Sequence, residues 1–167
     1  TVLFIGDPAQ RIAEDHLRIL RYFRFLARFG TLPPDPRSYA ACAEQANSLM
    51  ALSRERIADE LLKLLALPDP ADVVEMMIEG GIFAPVLPEI GAEGLARLRT
   101  FLAREQAAGI GHGSPLVRLS ALLPQDASTG EQIAARLKLS NKARKRISAA
   151  LAPRPACGSG RELVFRI

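Results

Sequence analysis

Apolar residues recur along this chain at helical spacing, and no stretch alternates apolar and polar residues long enough to make a half-buried strand. An all-α chain follows. In the first third, Leu17, Ile19, Leu20, Phe23, Phe25 and Leu26 cover most of a helix circumference, and Asp7-Pro8 supplies an N-cap and a first-turn proline. A helix is therefore expected from about Pro8 to Phe29, bent near Glu14-Asp15 and stopped by Gly30. Ahead of it, Thr1 to Ile5 is apolar and strand-like with no partner strand, so it reads as the short remnant of an element that continues elsewhere.

A proline-rich connector, residues 31–38, leads to a second expected helix, Tyr39 to Met50, and Ser53 caps a third in which Leu61, Leu62, Leu64 and Leu65 form the apolar face. Pro68-Asp69-Pro70 ends it. A fourth covers Ala71 to about Glu79, and the GGIFAPVLPEIG segment after it is a loop apolar enough to pack. Further helices are expected over Glu93 to Ala107, Leu116 to Leu123, Glu131 to Leu137 behind a Thr129 cap, and from Ser140 to about Leu151. The connector 153–160 and RELVFRI close the sequence, again without a helix cap. A boundary near 66–70 separates an amino-terminal helical region, 1–66, from a carboxyl-terminal helical body, 67–167. Short connectors make these one elongated array rather than two free domains.

Charge narrows the partners. Lys plus Arg number 22 against 18 Asp plus Glu, a net charge of +4, which favours an anionic partner. Cys42 and Cys157 stand far apart and His16 and His112 are the only histidines, so zinc chemistry and a disulfide framework are disfavoured. No apolar run approaches the roughly 20 residues that span a bilayer, and a reducing, cytoplasmic setting without a membrane partner fits best.

Two segments could carry chemistry. In the first, Asp15 and Arg18 are one helical turn apart, with Arg21 and Arg28 extending the stripe. From spacing alone, an intrahelical Asp15–Arg18 ion pair is the simplest reading. His16 has nothing near it to form a catalytic constellation. In the second, Arg136, Lys138, Lys142, Arg144, Lys145 and Arg146 put six cations into eleven residues with no carboxylate among them. They could grip RNA phosphates by charge, or they could be a solvated face, because no aromatic is interleaved for base stacking. Gly109, Gly111 and Gly113 lack the strand and the Lys-Ser/Thr of a phosphate loop.

The run GDPAQRIAEDHLRILRYFRFLARFG, residues 6–30, closely resembles the segment of class II CCA-adding tRNA nucleotidyltransferases and bacterial poly(A) polymerases that holds their EDxxR motif, here EDHLR, 14–18. SRERIADELLKLL, 53–65, is similar to the motif that follows, and PADVVEMMIEGGIFAPVLPE, 70–89, to the RNA-binding body. RLSALLP and ARLKLSNKARKRI, 118–124 and 135–147, resemble the bacterial body, so the likeness covers most of the chain. Against the usual EDPLR form, His16 replaces a proline at a helix start, which leaves the pair intact.

The resemblance implies a base-reading role for Asp15 and Arg18, with Glu14 organising Arg18 and Arg21 beside them, and CTP and ATP as the nucleotides read. The Watson–Crick edges of cytosine and adenine both carry an amino donor next to a ring-nitrogen acceptor. Aspartate accepts from the first and arginine donates to the second, whereas guanine and uracil present the reverse polarity. The resemblance also implies that 1–66 is a neck and 67–167 part of a body, with Lys138, Lys142, Arg144, Lys145 and Arg146 toward the tRNA or RNA 3′ end. Family catalysis uses a DxD carboxylate pair and Mg²⁺ on a head domain, and this sequence has no DxD, since Asp69 and Asp72 are wrongly spaced. The chain is thus expected to bind no cofactor itself and to be inert without the head. Addition of CCA to tRNA is the function expected. Poly(A) addition by the same family and a stand-alone α-helical RNA-binding module are the alternatives.

Overall fold

In a computed structural model, which describes residues 1–110 and 113–153, the chain is an elongated all-α array. The expectations for Gly111, His112, Cys157 and RELVFRI lie outside the described residues. The helices are α1 (Pro8–Glu14), α2 (Arg18–Phe29), α3 (Pro36–Glu44), α4 (Arg54–Leu65) and α5 (Ala71–Glu79), then α6 (Ala92–Ala107), α7 (Pro115–Leu122), α8 (Ala127–Arg136) and α9 (Asn141–Leu151). A 3₁₀ segment, Ala46–Ala51, joins α3 to α4. Among the described residues no strand forms, and Thr1 to Ile5 runs extended with Phe4 stacked on Tyr22, ring centroids 5.2 Å apart.

Caps explain where the boundaries differ from the sequence pattern. Asp35 accepts from the Ser38 amide at 2.9 Å and Pro36 follows it, so α3 starts inside the proline-rich connector rather than at Tyr39. Asp126, not Thr129, caps α8: its carboxylate accepts from the Thr129 amide at 2.8 Å and from the hydroxyl at 2.7 Å, which draws the helix start back to Ala127. Ser53 and Ser140 cap α4 and α9 through the amides of Arg56 and Ala143, as their positions foretell.

A single apolar core runs the length of the array. It includes Phe23 of α2, Ile57 and Leu65 of α4, Val74 of α5, Leu98 of α6, Leu122 of α7 and Ile147 of α9. The loop after α5 packs as expected, with Ile82, Phe83, Val86, Leu87 and Ile90 all buried. Gly94 lets α6 press against α7, since a Cβ there would meet the Leu122 carbonyl oxygen at 2.2 Å. The core crosses the boundary at 66–70 without a break. Arg118 of α7, 2% exposed, donates to the Leu65 carbonyl at 2.6 Å and also to that of Leu67, so it satisfies the carbonyls left open where α4 ends. Its charge is met by buried Glu105 of α6 at 2.8 Å. Among the described residues no helix is long and apolar enough to cross a membrane.

Candidate nucleotide-reading cleft and basic face

The long helix expected over 8–29 is broken. Its first piece ends at Glu14, and Asp15 is extended at φ −154°, ψ 106°. Asp15 then starts the next piece: its Oδ1 accepts from the Leu17 amide at 3.1 Å and its carbonyl from the Arg18 amide at 3.1 Å. A short acid that caps its own turn competes with helix continuation, which is the physical reason for the break. No ion pair forms between Asp15 and Arg18 among the described residues, so the intrahelical pairing suggested by spacing is corrected.

Arg18 is held by α1 instead. Its Nη1 donates to Glu14 Oε2 at 2.7 Å and to the Arg11 carbonyl at 2.8 Å. Arg11 Nη1 also reaches Glu14 Oε2, at 2.8 Å. The hydrogen bond from Arg18, outweighing the small cost of burial, holds the Glu14 carboxyl below its ordinary value. These contacts use one nitrogen of Arg18, and the Asp15 turn uses one oxygen of Asp15. Among the described residues, Arg18 Nη2 and Asp15 Oδ2 make no hydrogen bond, so a donor and an acceptor remain available at a bend in the backbone.

A cleft of about 260 Å³ opens beside this bend. Val2, Phe4 and Ile5 form one side, and Arg18, Arg21 and Phe25 the other. Asp15 is outside the lining. Its Oδ1 lies 3.7 Å from Arg56 Nη2, a contact from the first turn of α4. Arg21 also faces α4: its Nε is 3.3 Å from Glu60 Oε1, while Arg24 Nε is 2.6 Å from Glu60 Oε2. Glu60 is only 3% exposed, so α2 and α4 are joined by a buried carboxylate under two guanidinium groups. Among the described residues Arg54 and Arg56 do not pair with the acids of their own helix: Glu60 goes to α2, Asp59 to Lys63 and Glu55 to Lys138. The signal was present in the pattern: Ile57, Glu60, Leu61 and Leu64 fall on one buried stripe, where a carboxylate needs a partner from another element.

The basic segment divides in two. Arg144 pairs with Glu131, which also accepts from the Ser148 hydroxyl at 3.0 Å, and Arg136 meets Glu89 at 2.8 Å. Lys138 lies 3.7 Å from Glu55 and has the left-handed φ of 53° that closes α8. The segment contains no carboxylate, yet neighbouring helices supply them. Lys142, Lys145 and Arg146 are exposed and make no ion pair among the described residues.

Among the described residues no three His, Cys, Asp or Glu side chains gather as metal ligands, and Asp72 is bound to Arg99 at 2.8 Å. Cys42 is fully buried, and that burial pushes its thiol up to about 12, so it is no nucleophile.

Residues 32–93 match the family described as "Probable RNA and SrmB- binding site of polymerase A". The chain is 40% identical over 102 residues to the mitochondrial CCA tRNA nucleotidyltransferase 1 of Homo sapiens, a span of 60% of this chain and 23% of that protein. It is 31% identical over 141 residues to the CCA-adding enzyme of Bordetella bronchiseptica, covering 81% of this chain and 37% of the relative. With the CCA-adding enzyme of Anoxybacillus flavithermus it shares 34% identity over 90 residues, 53% of this chain and 22% of the relative. The chain thus spans less than two fifths of the length of each of these relatives.

Proposed function

We propose that this chain, a member of the CCA-adding tRNA nucleotidyltransferase and poly(A) polymerase family, is the nucleotide-selecting and RNA-binding part of a template-independent enzyme that adds CCA to tRNA 3′ ends. The observation that carries the reading is the break between α1 and α2. It leaves Asp15 with an unused acceptor and Arg18 with an unused donor, while Glu14 and the Arg11 carbonyl fix the guanidinium.

Selection then follows from hydrogen-bond polarity. The free oxygen of Asp15 accepts from the amino group of C or A, and the free nitrogen of Arg18 donates to the adjacent ring nitrogen. For U or G the same two groups meet an acceptor with a carboxylate and a donor with a guanidinium, and both stay unpaired. For Arg18 to read while Glu14 holds it, the guanidinium must keep its fork fixed in one plane, and a charge-assisted bond on one side does this. Arg21 adds positive potential beside the base. The RNA lies toward Lys142, Lys145 and Arg146, with Lys138 and Arg144 adding charge to that surface although each already has a carboxylate partner. Mg²⁺ and the phosphoryl-transfer carboxylates belong, on this reading, to another part of the polypeptide. When bound there, the ion supplies charge neutralisation at the triphosphate.

The test uses a polypeptide that includes the transferring part and tRNA lacking its 3′ end. Asp15→Ala and Arg18→Ala are expected to weaken the preference for CTP and ATP over UTP and GTP by roughly ten- to a hundred-fold, the scale of one bidentate base contact. Unchanged base choice with a lowered melting temperature would show the two residues to be structural. Product length separates CCA addition from poly(A) addition.

A further inference from the structure

The aromatic residues missing from the basic segment of α9 are present on α2. Phe25 and Phe29, one helical turn apart, are 41% and 67% exposed, in a protein whose other large apolar side chains are mostly buried. Their ring centroids lie 6.3 Å apart with the planes tilted by 34°. Each carries a guanidinium: Arg24 Cζ is 4.8 Å from the Phe25 centroid and Arg28 Cζ 5.2 Å from that of Phe29. Arg28 is exposed and makes no ion pair among the described residues. The helix reads RILRYFRFLARF, with four arginines and no carboxylate of its own; Arg18 is met by Glu14 and Arg21 and Arg24 by Glu60, so among the described residues Arg28 is the arginine of α2 whose charge is unopposed.

Exposed rings beside an unpaired guanidinium suit a single-stranded polyanion, whose bases and phosphates can be met by the two groups at once. Every base offers a π-face to a ring, and guanidinium groups meet the phosphates between successive bases. Position adds a direction. Phe25 lines the same cleft as Arg18 and Arg21, and Phe29 lies one turn further from it. A strand stacked on the two rings would end at the cleft where the incoming nucleotide is read.

We infer that the Phe25–Phe29 face of α2 is a stacking platform for the unpaired 3′ end of the RNA, which holds the last bases so that the terminal ribose hydroxyl faces the incoming nucleotide. This rests on the proposed function for its direction. The surface itself is argued from the two exposed aromatics and the unpaired Arg28 beside them. The two RNA-binding surfaces then differ in what they grip, since α9 takes phosphates regardless of pairing and α2 takes only unpaired bases.

The experiment measures fluorescence anisotropy of the full chain with three probes: a short labelled oligoribonucleotide ending in CC, an abasic strand of the same length and charge, and a blunt RNA duplex. Phe25→Leu/Phe29→Leu keeps the apolar bulk at exposed positions and removes the π-faces. It is expected to weaken binding of the base-bearing strand about ten-fold or more while leaving the abasic strand and the duplex unchanged. Lys142→Glu/Lys145→Glu/Arg146→Glu should weaken all three probes together. Ring variants that bind every probe like the parent, or that lose the abasic strand equally, overturn the platform. So does a result in which they lower the melting temperature of a longer polypeptide and leave its RNA affinity alone, because the face is then covered by protein. If Asp15→Ala and Arg18→Ala leave base choice unchanged while the ring effect persists, the nucleotide-selecting role fails and the stacking surface stands.

Discussion

Replacing Arg118 by Met tests how the two halves of the array are joined. Arg118 is 2% exposed and Glu105 6%, and their charges meet through Nη2–Oε2 at 2.8 Å and Nε–Oε2 at 3.2 Å. Methionine fills much of the arginine volume, so the main loss is electrostatic: a buried carboxylate without a partner, and the Leu65 carbonyl without a donor. Removing one member of a buried pair typically costs about 3 to 5 kcal/mol. For a chain of this size that is a fall in melting temperature of roughly 6 to 20 °C. Glu105→Met should cost a similar amount, since it leaves the guanidinium with carbonyl partners and no counter-charge. The double variant buries no charge, and its residual cost is the two open carbonyls at the end of α4, so it should be more stable than the sum of the singles implies by at least about 2 kcal/mol. Urea denaturation of the four proteins yields that coupling directly. Additivity within about 0.5 kcal/mol would refute the reasoning, because it would mean that the carboxylate and the guanidinium are each satisfied independently.

Glu60→Gln removes the charge shared by Arg21 and Arg24, and a loss of about 1 to 3 kcal/mol is expected from urea midpoints, less than for Arg118 because both arginines can turn toward water. Glu14→Gln frees Arg18, so in an active polypeptide base discrimination should fall while melting temperature changes little at this exposed pair. Acid should loosen the α8–α9 pair: hydrogen bonds from Arg144 and Ser148 hold the Glu131 carboxyl below its ordinary 4.5. A depressed folded value gives stability that is complete above the unfolded value and lost as pH falls through the folded one, so the melting temperature should drop below about pH 4.5 and drop less in Glu131→Gln.

The periodic features of this chain were legible because they depend on local spacing. The all-α class, the Ser53 and Ser140 caps and the packed loop over 80–91 follow from which residues repeat and which cap. Pairing was not legible where the partner comes from another element. Glu60 looks on sequence like a neighbour of Arg56, yet it lies on the buried stripe of α4 and meets α2. Six cations on 136–146 look unopposed because Glu89, Glu131 and Glu55 lie on other segments. The break at Asp15 was only half visible. The sequence has no glycine or proline there, and the competition between a capping aspartate and helix continuation is decided by the packing of Ile12, Leu17 and Ile19 on either side.

On the proposed function, that break also explains how a half-buried pair can select bases. A hydrogen-bond reader that must reorganise for each substrate spends binding free energy on ordering, and an arginine side chain on an exposed helix is free to rotate. Here the first restraint is local: Glu14 and the Arg11 carbonyl lock one nitrogen of Arg18. The second is tertiary. Asp15 lies beside Arg56 at the start of α4, and Glu60, one turn further along α4, binds Arg21 and Arg24 of α2. The helix that carries Arg18 and the turn that carries Asp15 are thereby tied to the same third element. Their separation is set by α4 rather than by the two side chains, and α4 is in turn held at its far end by Arg118. Geometry fixed in this way before the nucleotide arrives lets two hydrogen bonds discriminate by polarity, because a base of the wrong polarity cannot recover its lost bonds by moving the reader.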